Sequence, residues 1–192
     1  MSNPNLAFSQ SQISQIQSGD IIFIDSDDRQ SQAIRLTTGS KWTHLGIIFV
    51  ENNEPIVYHA VDPVRKDSLS DFLKYSIDAK WEIKRLKDNS VLTDINLEKM
   101  KQKAQKLQGL PYDYLFNWQD DEIYCSEYVW KIYQEIGLKV GELGTLKDFD
   151  LTAPFVQKML KEMYGDQIPL TEPVISPSTM FDSQLLNTTL KN

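Results

Sequence analysis

The 192-residue sequence contains a single cysteine, so no disulfide can form within the chain. Covalent staples are excluded as a source of stability, and a reducing compartment suits it. No apolar run approaches the roughly 20 residues of a membrane-spanning helix, so stable membrane insertion is not expected. The opening stretch MSNPNLAFSQSQ lacks the basic and apolar segments of a secretory leader. The default expectation is therefore cytoplasmic, or periplasmic or secreted if a leader has been removed. Positive charge is scarce: 20 Lys and Arg face 27 Asp and Glu, for a formal charge of −7. Phosphate backbones and anionic membrane surfaces call for the opposite balance, so nucleic acid is not an expected partner. A small peptide, an amine-bearing molecule or an acyl substrate is compatible with it. There is no internal repeat and no low-complexity tract, and nothing sets an oligomeric state.

What remains is ordinary globular composition, 41% hydrophobic and 24% charged, in a chain long enough for one domain with a core. Residues 1–18 are polar and read as an N-terminal arm with a short helix around Ile13 and Ile16. Ile21-Ile22-Phe23-Ile24 reads as a buried strand. Residues 25–42 are polar, with a helical turn around Ala33, Ile34 and Leu36 that stops at Gly39. Residues 43–50 and 56–61 form a β-hairpin around a Glu51-Asn52-Asn53-Glu54 turn. Residues 81–86 alternate as a further strand. Leu97, Met100, Ala104 and Leu107 share one face of an amphipathic helix, with lysines outside. Two more helices are expected over about 125–136 and 152–164. The tail, about 165–192, carries Pro169, Pro173 and Pro177 and is expected to run extended around the body. Strands beside separate helices indicate the α+β class, in one domain over 19–192.

The lone cysteine and the two histidines sit where chemistry would need them. Cys125 opens a predicted helix and shares a face with Val129, Ile132 and Ile136, so its sulfur points inward. The orphan N–H groups and positive dipole end at that position favour a thiolate. With a nearby imidazolium, such placement lowers a cysteine pKa from about 8.5 into a range of roughly 3.5–7.5, the expectation here. A buried cysteine of no function is the competing reading. His44 opens a strand, with Gly46 leaving room on its face. His59 lies on the returning strand, and its relation to His44 depends on the turn. If Glu51-Asn52 form the turn, the two histidines are directly opposed. If Asn52-Asn53 form it, they are diagonal neighbours on one face, with Cβ atoms about 7–8 Å apart. A three-residue loop would send His59 to the other face. In either aligned register His59 can orient His44, the logic of nucleophile, base and orienter. One Cys and two His also raise a metal site, but the Cys is remote in sequence and neither C-x-x-C nor H-E-x-x-H appears. No metal and no cofactor is expected.

These residues carry a resemblance. Gly19-Asp20-Ile21-Ile22-Phe23, Thr43-His44-Leu45-Gly46-Ile47-Ile48 and Val57-Tyr58-His59-Ala60 are similar to the strand half of NlpC-type papain-like hydrolases. Gly109-Leu110-Pro111-Tyr112 and Tyr124-Cys125-Ser126-Glu127 resemble their nucleophile half. Here His44 precedes Cys125, the reverse of the usual order, so the chain resembles a circularly permuted papain-like fold. The resemblance is to the YiiX-like branch, distantly related to lecithin:retinol acyltransferase, and covers roughly residues 19–186, including the Ile175-Ser176-Pro177-Ser178 string. It implies Cys125 as nucleophile, His44 as base and His59 as orienting residue. Many YiiX-like chains carry Glu at the last position, which would also orient an imidazole. The implied activity is that of a cysteine hydrolase, an amidase or peptidase acting on a small peptide, a cell-wall fragment or an N-acyl amine through a thioester acyl-enzyme. An acyltransferase or lipid esterase with the same site, or a silent binding module of the same fold, are the alternatives. Tyr112 is an expected oxyanion donor beside the Cys125 N–H, Tyr124 and Asp113 are expected to line the pocket, and Trp42, Trp118 and the tail to wall it.

Overall fold

Asn52 and Asn53 take φ of 51° and 66°, the left-handed pair that a two-residue type I′ hairpin turn requires. This turn joins β2 (His44–Glu51) to β3 (Glu54–His59), with Glu51 opposite Glu54 and Ile47 opposite Tyr58. The register is the diagonal one of those the sequence allowed. The computed structural model describes residues 8–192, so residues 1–7 of the expected arm lie outside the described residues. The rest of that arm holds the short helix α1 (Gln10–Gln15).

The hairpin is the middle of a six-stranded antiparallel sheet. β1 (Ile21–Ser26) pairs with β2 on one side and with β5 (Ser76–Leu86) on the other. β4 (Arg65–Ser68) and β8 (Leu186–Lys191) close the two edges, giving the order β4-β3-β2-β1-β5-β8. β4 was not expected, because Arg65-Lys66-Asp67-Ser68 has no apolar alternation. Such polarity is what a sheet edge carries to discourage pairing with other chains. The C-terminal residues are likewise not merely extended: Leu186 pairs with Leu86, and Leu190 with Ile83.

Helices cover both faces. One face of the sheet presents Phe23, Leu45, Ile47, Phe49 and Tyr58 to α5 (Cys125–Gln134) and α4 (Asp94–Lys106). Every residue of α5 from Cys125 to Tyr133 is buried. The other face presents Ile22, Ile24, Ile48 and Val57 to Leu69, Phe72 and Leu73 of the short helix α3 (Leu69–Leu73). Beyond the strand ends, α2 (Arg29–Thr38) packs against α6 (Pro154–Tyr164). Asp28 caps α2 by accepting from the Ser31 N–H, and Gly39 ends it with φ of 67°. The remaining elements are β6 (Gly144–Thr145), paired with β7 (Pro173–Val174), and α7 (Pro177–Phe181). Among the described residues no helix is long and apolar enough to cross a membrane.

Candidate active site

The register decides where the two imidazoles go. His59 pairs across with Gly46 by the same count that sets Ile47 against Tyr58, so His44, two residues before Gly46, is its diagonal neighbour. Gly46 makes that diagonal passable. A Cβ there would stand 2.4 Å from Val57 Cγ1 and 3.2 Å from His59 Cβ. With no side chain in the way, His44 Nε2 and His59 Nδ1 meet at 3.0 Å. Phe72 lies against both rings, at centroid distances of 5.5 and 5.0 Å. This apolar cover holds His44 well below the ordinary imidazole pKa, through lost hydration first and the neighbouring His59 second. His44 is therefore a neutral imidazole at pH 7.

The sulfur approaches from the helix on the other side of the sheet. Cys125 occupies the first turn of α5, where its backbone N–H has no partner within the helix. Its Sγ stands 4.0 Å from the carbonyl oxygen of Thr43, the residue immediately before His44. Two backbone ties bring Cys125 there. Tyr112 bridges to Ile123, two residues before Cys125, and the preceding Gly109 and Leu110 exchange hydrogen bonds with Val64 just past the hairpin. The residues far apart in sequence are thus laced together around the end of β2.

The expected thiolate does not exist at rest. Burial pushes the Cys125 thiol up to about 11, and the Ser126 N–H and the Tyr112 hydroxyl offset only part of that penalty. The helix terminus was read correctly as a donor, but Cys125 is only 2% exposed. Removing a charge from water outweighs a partial dipole of the size a helix end supplies. At rest both groups are neutral, the thiol at the start of α5 and the imidazole at the start of β2.

Tyr112 is at the sulfur and on the wall of a cleft of about 530 Å³, shared with Asp28, Ser31, Thr43, His44 and Asp62. Tyr124, the N-cap residue of α5, and Asp113 are not on that wall. The Tyr124 hydroxyl accepts from the Ile175 N–H at 3.2 Å. Asp113 is fully buried, with Oδ1 accepting from the Leu115 N–H at 2.9 Å and Oδ2 without a partner. Trp42 stacks on Phe181 and Trp118 packs edge-on against Trp130, both as core contacts. The tail does supply a wall, but of a different hollow. Ile175, Ser176 and Pro177 line an apolar cavity of about 680 Å³ between α2 and α6, and Gln30 and Ile34 border both cavity and cleft.

Sequence reasoning missed Asp67, whose Oδ2 lies 2.9 Å from His59 Nε2 and accepts from Arg65 Nε at 3.0 Å. It sits on the polar strand that gave no signal. Asp28 was missed for a different reason, since an N-capping residue needs no second role.

A family model, the permuted papain-like amidase enzymes of the YaeF/YiiX type, C92 family, matches residues 15–190. The chain belongs to the C92 family. Among members of that family, the YiiX protein of Escherichia coli K12 is 43% identical over 178 residues, covering 92% of this chain and 87% of its own length. The crystal structure of YiiX from Escherichia coli O157:H7, described as a metalloprotein, superimposes with a TM-score of 0.87 at 43% identity, over 93% of this chain and 98% of that one. The family is described as permuted, and in this chain His44 precedes Cys125.

Proposed function

We propose that this chain is a cysteine amidase that cleaves small N-acyl amines through a thioester on Cys125. The observation that carries this reading is the sulfur 4.0 Å from the Thr43 carbonyl, one residue before a histidine whose Nε2 is already held by a second histidine. His44 Nδ1 then remains to take the thiol proton as sulfur attacks the amide carbonyl. The tetrahedral oxyanion is met by the Cys125 N–H and the Tyr112 hydroxyl. His44 returns the proton to the leaving amine, the C–N bond breaks and the thioester forms. Water, deprotonated by His44, then attacks the thioester, and the departing sulfur recovers its proton. A neutral starting pair suits this order, because no charge has to be buried before the substrate is in place.

Two features support the substrate class. The apolar cavity adjoining the cleft at Gln30 and Ile34 has the shape and lining for an acyl chain. Asp28 and Asp62 put carboxylates in the cleft itself, where an amine-bearing leaving group would sit. Acyl transfer to an alcohol or amine is a second reading. It is favoured by the near-complete burial of Cys125, which limits the access of water to a thioester there. A resident metal does not fit these residues. The facing nitrogens of His44 and His59 are in hydrogen-bond contact, leaving no space between them. Among the described residues no three His, Cys, Asp or Glu side chains group as ligands.

Intact-protein mass spectrometry after incubation with p-nitrophenyl octanoate and with octanoyl anilide tests the proposal. An octanoyl adduct on the wild type, absent from Cys125→Ser, is expected. Equal labelling of that variant would overturn the nucleophile. Adding glycerol or a primary amine separates hydrolysis from transfer by the product released.

A further inference from the structure

The chain of polar contacts does not end at His59. β4 pairs with β3 so that His59 faces Arg65 and Val57 faces Asp67. Asp67 is therefore the diagonal neighbour of His59 on one side, as His44 is on the other, and the three side chains share one face of β2, β3 and β4. The contacts run from Arg65 Nε to Asp67 Oδ2 at 3.0 Å, from Asp67 Oδ2 to His59 Nε2 at 2.9 Å, and from His59 Nδ1 to His44 Nε2 at 3.0 Å.

We infer that Asp67 is a positioning residue that sets the tautomers of both histidines and so leaves His44 Nδ1 bare for the sulfur. The inference rests on the nucleophile–base reading above for its purpose, but not for its geometry. Asp67 is an ionised carboxylate, held low by its hydrogen bond to His59 and by Arg65, and an ionised carboxylate can only accept. His59 must then carry its proton on Nε2. Burial keeps His59 neutral, so its Nδ1 has no proton and can only accept. The proton between the rings therefore belongs to His44 Nε2. A neutral His44 with its proton there has a bare Nδ1. Each step follows from the one before, and the direction is set at the far end by Arg65, which has no acceptor to offer. Without Asp67, His59 is free to carry its proton on Nδ1 and donate it to His44 Nε2. That would move the His44 proton to Nδ1 and block the base.

Because the chain has two histidines, ring nitrogens labelled with nitrogen-15 can be read by NMR in the full-length protein. The wild type is expected to show a protonated Nε2 and a bare Nδ1 on both rings. Asp67→Asn should keep this pattern, since Arg65 Nε–H holds the amide oxygen where the carboxylate oxygen was. Asp67→Ala should place a proton on Nδ1 of at least one ring. It should also slow the p-nitrophenolate burst from p-nitrophenyl octanoate by about tenfold or more, as expected when a base is held in the wrong tautomer. A wild-type His59 protonated on Nδ1, or unchanged tautomers and burst in a folded Asp67→Ala protein, would overturn the assignment. The wild-type spectrum alone decides it if that variant does not fold. No burst in the wild type, together with tautomers that respond as expected, would defeat the nucleophile reading and leave Asp67 assigned.

Discussion

The two hollows share helix α2 and differ in nearly everything else. The cleft at the start of α2 is walled by Asp28, Ser31, Thr43, His44, Asp62 and Tyr112, groups that move protons or hold charge. The cavity along the same helix is walled by Ala33, Val156, Met159, Leu160 and Ile175, which can do neither. Gln30, Ile34, Thr37 and Thr38 follow one stripe of α2 at helical spacing, so the polar room and the apolar room are consecutive stretches of one surface. The first is braced by a buried polar network. Thr43 Oγ1 accepts from the Ser26 N–H at 2.8 Å and donates to Asp25 at 3.2 Å, and Arg35 pairs with Asp25. The second is lined mostly by apolar side chains, with an Arg29–Glu162 ion pair joining α2 to α6. Chemistry needs groups fixed in direction, whereas holding an alkyl chain needs only volume and the absence of water.

The largest effect should come from the polar room. His44→Ala removes the proposed base and is expected to lower acylation by about a thousandfold or more, read as the p-nitrophenolate burst. The same variant should flatten the acid limb of the stability curve. Buried His44 titrates well below its usual 6.5, so the unfolded chain binds the extra proton, and stability falls as pH drops below about 6.5. Urea melts at pH 7 and pH 5 check this. A slope identical to the wild type would mean that His44 is not buried and neutral.

Next is the clearance that lets the imidazoles meet. Gly46→Ala puts a methyl group 2.4 Å from Val57 Cγ1 and 3.0 Å from the Tyr58 carbonyl oxygen. Such overpacking should cost about 1–3 kcal/mol in urea unfolding and reduce the burst as the rings separate. Full stability with full activity would show that the hairpin has room to spare.

The apolar room should matter by increments. Each methylene added to a p-nitrophenyl ester should raise kcat/KM by up to about fourfold, from roughly 0.8 kcal/mol per buried CH₂. Ile34→Trp narrows the junction of the two hollows and should erase that dependence while sparing the acetate ester. An unchanged chain-length profile would separate the cavity from the substrate.

The smallest effect should come from Asp28→Asn. Asparagine still caps α2, but the carboxylate that helps to raise the Cys125 thiol is gone. Iodoacetamide labelling of the free protein should rise with a midpoint near 11 in the wild type and slightly lower in the variant. A wild-type midpoint below 8 would restore the resting thiolate.

Much of the polar room was legible because it rests on short-range rules. An antiparallel hairpin with Asn-Asn at its turn allows few registers, and the period of two then puts His44 and His59 on one face. A cysteine at a helix start beside a glycine-marked strand completes a motif whose order can be read directly. Asp67 was illegible because its strand is an edge, where polarity erases the alternation that marks a strand. The pairing of Leu186–Lys191 with β5 was hidden for a related reason, since Leu-Asn-Thr-Thr-Leu-Lys is a weak pattern whose partner lies a hundred residues away. The cavity between α2 and α6 left no signal at all, as each helix shows only an ordinary apolar stripe.

The amino-acid order by itself marked Cys125, His44 and His59 as the candidates for chemistry and determined the α+β class, because these follow from residue type and local periodicity, and its motifs carried the resemblance to a permuted fold. Tertiary structure alone decided the protonation of the sulfur, the fourth member of the polar chain and the presence of an apolar chamber next to the cleft. Each of those depends on what is excluded from around a group, and exclusion of water is a property of surfaces that meet from distant parts of the chain.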